Sequence, residues 1–191
     1  MRELFKTTEG RFGFKDEKGR VVIPPTYDFA LPFSEGVAVV CINGKMGQGK
    51  TGFIDEYGNI VIDFLYDGAR SFCEGLAQVE LNKNGKRTTG FINHAGQLAI
   101  PMVYNFAMSF RKGLAPVCVG ESWVTGKFGC IDKSNQLVIP LEYDYLEPIC
   151  GDYFVFKSQG HWGIIDSGQN IISPIFKSQR ELINYLTPIV R

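Results

Sequence analysis

The sequence predicts an all-β fold assembled from five tandem, three-stranded antiparallel β repeats of about 38 residues each. Three observations carry this reading. One block of sequence recurs along the chain, each block holds short apolar runs separated by turn residues, and no segment shows sustained helical periodicity.

The recurrence is plain in "GRFGFKDEKGRVVIPPTYDFALPFSEGVAVV", "GKTGFIDEYGNIVIDFLYDGARSFCEGLAQV", "RTTGFINHAGQLAIPMVYNFAMSFRKGLAPV" and "GKFGCIDKSNQLVIPLEYDYLEPICGDYFVF", which a fifth, "GHWGIIDSGQNIISPIF", continues. The marker residues Asp16, Asp55, Asn93, Asp132 and Asp166 stand 39, 38, 39 and 34 residues apart. Repeats therefore run over approximately 10–40, 49–80, 87–118, 126–156 and 160–190, with 1–9 as an extra N-terminal strand, all in a single domain spanning 1–191.

Each copy is read in the same order. Strand one, such as "GFID", alternates and is rich in β-branched and aromatic residues. A turn of Gly, Asn and charged residues leads to a second apolar run such as "VVIP", the signature of a hairpin. Pro24, Pro101 and Pro140 are expected to close that run by removing a backbone donor, with Asp63 in their place in copy two. A loop then carries Tyr27, Tyr66, Tyr104 or Tyr143, followed by an apolar anchor, Phe33, Phe72, Phe110 or Ile149. Gly36, Gly75, Gly113 and Gly151 turn the chain into strand three, "VAVV", "LAQV", "LAPV" or "YFVF". At the ends, "ELFKTT" reads as a third strand ahead of copy one and "LTPIV" as the last strand of copy five. A lone copy cannot bury its apolar face, so copies must stack. The expected arrangement is a curved superhelical stack whose end strands Arg2, Glu3, Pro188 and Arg191 protect; the alternative is a closed five-bladed propeller.

Composition narrows the function. Hydrophobic residues make up 45% of the chain, enough for a sizeable core, and twenty basic residues balance twenty acidic ones, so no global field gathers nucleic acid or membrane. "MRELFKTTEGRFGF" lacks the apolar segment of a secretory signal, and no apolar run approaches the ~20 residues that span a bilayer. The expected location is the cytoplasm, or the periplasm had a signal peptide been removed. Cys41, Cys73, Cys118, Cys130 and Cys150 form no C-x-x-C pair and are odd in number, against a disulfide framework or zinc site.

The recurring "GKFGCID", "GHWGIID" and "GRFGFKD", with "G-x-V-V-I-P-P-x-Y-D" and "F-S-E-G-V-A-V-V", resemble the bacterial WG-repeat family over nearly the whole chain. The tryptophan of the family name survives only as Trp162; Phe12 and Phe128 replace it with another aromatic, and Thr51 and Thr89 do not. The resemblance implies an all-β interaction module and no catalytic residues.

Gly44 to Thr51 matches the phosphate-loop pattern, but the repeat makes the following residues a strand rather than the helix that such a loop needs. The acids Asp16, Asp55, Asp132 and Asp166 read as turn-fixing groups rather than a calcium ring, and Asn93 does that work without charge. The tyrosine series reads as packed rings whose hydroxyls find partners. His94 and His161 are expected to be solvated, and with no acid or nucleophile at fixed spacing they suggest neither a triad nor a metal centre. Cys41 and Cys118 share a position with Glu80, which argues against deep burial, and read as ordinary thiols.

The copies differ most in the links from strand three to the next strand one, "CINGKMGQGK", "ELNKNGKR", "CVGESWVTGK" and "FKSQG", which is where a repeat scaffold varies without disturbing its core. Trp123, beside Glu121, is a candidate hot spot for a protein partner, and Lys45, Met46, Lys50, Lys83, Lys86 and Arg87 gather in the first two links. The expected function is thus a non-enzymatic, cofactor-free protein-binding scaffold, an adaptor or a cytosolic neutraliser of a toxin or effector. A small-ligand or glycan-binding module is the alternative, with Trp123 and Trp162 as its aromatics, and a nucleotide binder through Gly44 to Thr51 is the minor one.

Overall fold

The computed structural model describes residues 2–121, 124–149 and 152–187. Five small antiparallel sheets carry the strands. The first joins β1 (Glu3–Lys6), β2 (Phe12–Lys15) and β3 (Val21–Tyr27). The second runs through β4 (Phe29–Ala30), β5 (Val37–Ile42), β6 (Lys50–Asp55) and β7 (Ile60–Tyr66). The third holds β8 (Gly68–Ala69), β9 (Ala77–Lys83), β10 (Lys86–Ile92) and β11 (Leu98–Tyr104). The fourth holds β12 (Phe106–Ala107), β13 (Leu114–Val119), β14 (Lys127–Asp132) and β15 (Leu137–Tyr143), and the fifth β16 (Tyr145–Pro148), β17 (Tyr153–Ser158) and β18 (His161–Asp166). Strands neighbour one another in chain order within every sheet. The chain forms two compact units, 1–103 and 104–191.

Sheet and sequence repeat are offset. The first four sheets pair a strand three with strands one and two of the next copy, as β5 pairs β6 and β6 pairs β7, and the fifth pairs strand three with strand one alone. Copies are therefore tied to each other by backbone hydrogen bonds as well as by packing. Three sheets gain a fourth strand that the sequence reading missed, a two-residue step in which Phe29 and Ala30 face Cys41 and Val40. Two residues are too few to show alternation, yet Ala30, Ala69 and Ala107 are buried there.

The prolines do not end strand two. β3 continues to Tyr27, and the pairing jumps from Phe14↔Ile23 to Phe12↔Tyr27, so Gly13 alone opposes residues 24–26. The same jump separates Phe53↔Ile62 from Thr51↔Tyr66, and Cys130↔Ile139 from Phe128↔Tyr143. At this bulge strand two arches over the glycine. A Cβ at Gly13, Gly52, Gly90 or Gly129 would lie 2.7, 2.7, 2.6 or 2.4 Å from the carbonyl oxygen of Ile23, Ile62, Ile100 or Ile139. Because β7 makes the bulge with Asp63, proline is not what creates it. Pro24, Pro101 and Pro140 instead sit on β3, β11 and β15, each an edge strand of its sheet, where a missing donor discourages edge-to-edge pairing.

The turn-fixing reading of the acids holds. One Oδ1 of Asp16, Asp55, Asn93 or Asp132 accepts N–H groups two and four residues on, at 2.8 to 3.0 Å. Side chains at the fourth residue, Arg20, Asn59 and Asn170, hydrogen-bond Asp16, Asp55 and Asp166 and lower these carboxyls from their ordinary value. A carboxyl depressed on folding adds stability above its unfolded pKa of about 4, and that stability is lost as pH falls through the lower folded value. Thermal stability should therefore be flat near neutrality and drop below about pH 4. Asp55→Asn should keep the turn, as Asn93 does, and flatten this acid limb, whereas Asp55→Ala should lower the melting temperature at every pH. Melts from pH 7 to 3 check both.

The core follows the sheets. In the first unit Phe14 and Phe53 are fully buried and meet Phe33 and Phe72 edge-on at centroid distances of 4.7 and 5.3 Å. The hairpin turn of the next copy caps each sheet there, Gly58 lying over Ile23 and Gly96 over Ile62. In the second unit Phe128, Cys130, Ile139, Leu146, Phe154 and Phe156 form one cluster. The tyrosines are half-buried to buried, and the Tyr104 hydroxyl donates to Asn135 Oδ1 at 2.7 Å.

The C-terminal segment departs from expectation. "IISPIF" makes only isolated bridges to β18, Ile165↔Ile171 and Trp162↔Phe176. Leu186 of the expected strand "LTPIV" ends a helix, α1 (Gln179–Leu186), and Pro188, Ile189 and Val190 lie outside the described residues, as does Arg191. The helix has a sequence signal, the S-x-x-E box of Ser178 and Glu181. Ser178 Oγ accepts the Glu181 N–H at 3.3 Å, and the Glu181 carboxylate accepts the Lys177 N–H at 3.0 Å. Leu182 faces inward.

Candidate partner-binding cleft

The links from strand three to strand one lie at one end of each sheet, opposite the Asx hairpins. A second acid series holds that end together. Asp28, Asp67, Asn105 and Asp144 each accept an N–H from the link, that of Gly44, Asn82, Gly120 and Gln159. The acids also bind the first residue of strand one or its neighbour: Arg11 meets Asp28 at 2.6 Å, Lys50 meets Asp67 at 2.7 Å, and Lys127 pairs with Asp144. Asn105 is neutral, and Thr88 stands in its copy where the others carry a cation. The Lys127 hydrogen bond lowers the Asp144 carboxyl. Burial works to raise Asp67, but hydrogen bonds from Lys50 and the Asn82 N–H hold it below its ordinary value.

Lys50 is therefore committed to an ion pair with Asp67, although its side chain stays half exposed. Thr51, next to it, is fully buried within β6. The link at 43–49 is tied down: Lys45 O accepts the N–H groups of Gln48 and Gly49 at 2.8 Å, and Asp67 O accepts that of Gly47 at 2.7 Å. A Cβ on Gly49 would meet Ile42 O at 2.2 Å.

Beside this link opens a cleft of about 890 Å³, bounded on its far side by the β1–β2 turn. Phe12 and Phe29, 5.9 Å apart, form an aromatic wall, and half-buried Met46 packs on the core of the neighbouring sheets. Lys6, Arg11 and Lys45 supply positive charge; Glu9 and Asp28 supply negative. Lys45 and Met46, both nominated from the sequence, line this cleft. Lys6, Phe12 and Phe29 were missed, because the turn 7–11 precedes copy one and was not counted among the links.

The other nominated residues are dispersed. Lys83 and Lys86 face each other across an Asn84–Gly85 hairpin turn and are exposed. Arg87 lies 3.6 Å from Glu80 and shares a small hollow with Gly47, so the first two links do lie side by side. Glu121 is exposed in the second unit, and Trp123 lies outside the described residues, as do Cys150 and Gly151. Trp162 is half-buried against Tyr145, with Lys157 Nζ 5.7 Å from its ring.

His94 is exposed, as expected, and one face of its ring also stacks on Phe72 at 3.9 Å, with Nε2 2.9 Å from Glu35. One expectation is corrected. Cys41 and Cys118 are fully buried, and burial pushes both thiols up. Glu80 occupies the same place because its carboxylate reaches out to Arg87 and the Gln78 amide.

The WG containing repeat profile matches residues 12–45, 52–86, 90–123 and 128–160. The chain belongs to this family. The glycine of the WG pair is the one beneath each bulge, Gly13, Gly52, Gly90 and Gly129, which gives the motif a steric cause. The fifth copy, with Trp162 and Gly163, follows the last matched segment. No curated protein sequence matches the WG-repeat chain. Among solved structures, putative TolB from Agrobacterium tumefaciens superposes with a TM-score of 0.50 at 9% identity, over 90% of this chain and 76% of that one. An uncharacterized protein from Listeria monocytogenes EGD-e gives 0.48 at 13% identity, over 91% and 66%. At 9% identity the likeness to putative TolB is one of fold.

Proposed function

We propose that this WG-repeat protein is a non-enzymatic protein-binding scaffold that recognises its partner through the links between strand three and strand one. The observation that carries this is the cleft between two consecutive links of that kind, 7–11 and 43–49, with Lys45 and Met46 in its wall. The links differ in length and residue type while the Asx hairpins at the other end repeat, so variation is concentrated where a partner would be read. An adaptor or a cytosolic neutraliser of a toxin or effector fits this reading.

The finer architecture belongs with the proposal. Four-stranded antiparallel meanders are the blades of propellers, and the likeness in fold to putative TolB agrees with that, so a five-bladed propeller is favoured over the superhelical stack.

Photo-crosslinking residues at Lys45, Asn84 and Trp123 test the function. Each is expected to trap the same host protein; absence of an adduct from all three would remove the reading. A small-ligand or glycan reading draws on the cleft volume, which lies in the range of ligand pockets, about 300–1,000 Å³.

A further inference from the structure

We infer that the cleft between the turn 7–11 and the link 43–49 takes a short acidic peptide segment bearing an apolar side chain, a deepening that rests on the protein-binding reading.

Charge in the cleft is unevenly satisfied. Asp28 is occupied twice, Oδ1 by Arg11 at 2.6 Å and Oδ2 by the Gly44 N–H at 3.1 Å, and Glu9 accepts the Thr8 hydroxyl at 2.8 Å. Lys6 Nζ lies over the face of Phe12, 5.2 Å from the ring centroid. Among the described residues neither Lys6 nor Lys45 has an ion-pair partner, and both are exposed. The local cations are therefore in excess of the acids available to them, and an incoming carboxylate completes the balance.

The cleft also has an apolar wall. Phe12 and Phe29 stand tilted 56° to each other, and Met46 offers a polarisable thioether that adapts to the shape of a guest. A simple anion would use the lysines and leave this surface wet. A volume of about 890 Å³ holds several residues rather than a single ion. A nucleic acid backbone would carry its phosphates past Glu9 and Asp28, whereas a peptide can place an apolar side chain there.

The link is preorganised for the task. Its backbone is fixed by the bonds to Lys45 O, Asp67 O and Asp28, so Lys45 and Met46 are presented without ordering a loose loop.

The probe is a blocked Glu-Phe-Glu-Leu-Glu peptide titrated into the full chain labelled at its methionine methyls and backbone amides. Expected are shifts at Met46, Lys45, Phe12 and Phe29, binding that weakens as salt rises, and at least tenfold weaker binding in the double variant Lys6→Glu, Lys45→Glu. Lys18→Glu, a charge reversal on an exposed hairpin turn at the opposite end of the sheet, should leave affinity unchanged. Equal binding of a Lys-Phe-Lys-Leu-Lys peptide, displacement of the probe by inorganic phosphate, shifts confined to other surfaces, or no binding would each overturn the inference. The double variant's amide spectrum shows whether it is folded; should it not be, Lys45→Gln gives the same test with an expected loss of a few-fold. Failure here with adducts still trapped from Asn84 and Trp123 would reject this ligand and leave the protein-binding reading standing.

Discussion

Gly129→Ala is expected to destabilise the second unit by about 3 kcal/mol or more, or to prevent its folding. The added methyl carbon would sit 2.4 Å from Ile139 O and 2.8 Å from two atoms of Pro140, all backbone. No rotamer change relieves a clash with backbone, so β15 must lift from β14 and give up the pairing on either side, Phe128↔Tyr143 and Cys130↔Ile139. Those residues belong to the core cluster of that unit, so hydrogen bonds and burial are lost together. For a chain of this size the loss corresponds to a fall of about 6–12 °C in melting temperature. Gly168→Ala is the matched control: its Cβ would meet only the side chains of Asn170 and Asp166, at 3.2 Å and beyond, and should change little. A Gly129→Ala protein melting within a degree or two of the parent would refute the arched-strand account of the WG glycine.

Phe72→Ala should cost a similar amount, about 3–5 kcal/mol, by leaving a cavity where three copies of the repeat meet. Phe72 is 2% exposed. Its ring packs edge-on against Phe53 of the same copy and face-on against His94 of the next, while its carbonyl accepts the Ser34 hydroxyl of the preceding one at 2.8 Å. Glu35 closes the junction, reaching both His94 Nε2 and the Gly75 N–H. Phe72→Leu refills most of the volume and should recover more than half of the loss. His94→Ala removes a part-exposed stacked ring together with its contact to Glu35, and should cost about 1 kcal/mol. Denaturant unfolding of the three variants orders them; a Phe72→Ala value below that of His94→Ala would mean the junction is not where the first unit is held.

Much of this was legible in the sequence because repetition supplies its own controls. The Asx turns were readable since Asn93 replaces an acid in one copy of five, which separates turn geometry from charge. The structural role of Lys50 was equally readable and passed unnoticed: Arg11–Asp28, Lys50–Asp67 and Lys127–Asp144 share one spacing, and the copy with Asn105 carries Thr88. The phosphate-loop pattern drew attention from that pairing. The offset between sheet and repeat was not legible, because an antiparallel strand such as "VAVV" offers the same alternation to either neighbour. Nor were the two-residue strands, which carry too few residues for a period. The helix α1 was masked by fitting "LTPIV" to the repeat register, although Ser178 and Glu181 spelled its start. For the cleft, loop variability points to Lys45 and Met46, whereas Phe12 and Phe29 fall within the recurring block, whose aromatics read as core rather than surface.

The claim that partners are read at the link end of the sheets is tested most directly by comparing crosslinking from the two ends of the same strands. Photo-reactive residues at Lys45, Asn84 and Trp123 report on the links; residues at Lys18, Tyr57 and Ser134 report on the opposite hairpin turns. All six sets are exposed to the native host and the adducts identified by mass spectrometry. The account predicts one recurring partner trapped from the link positions and none shared by the hairpin positions. A partner trapped from Lys18, Tyr57 and Ser134, with the link positions silent, would contradict it.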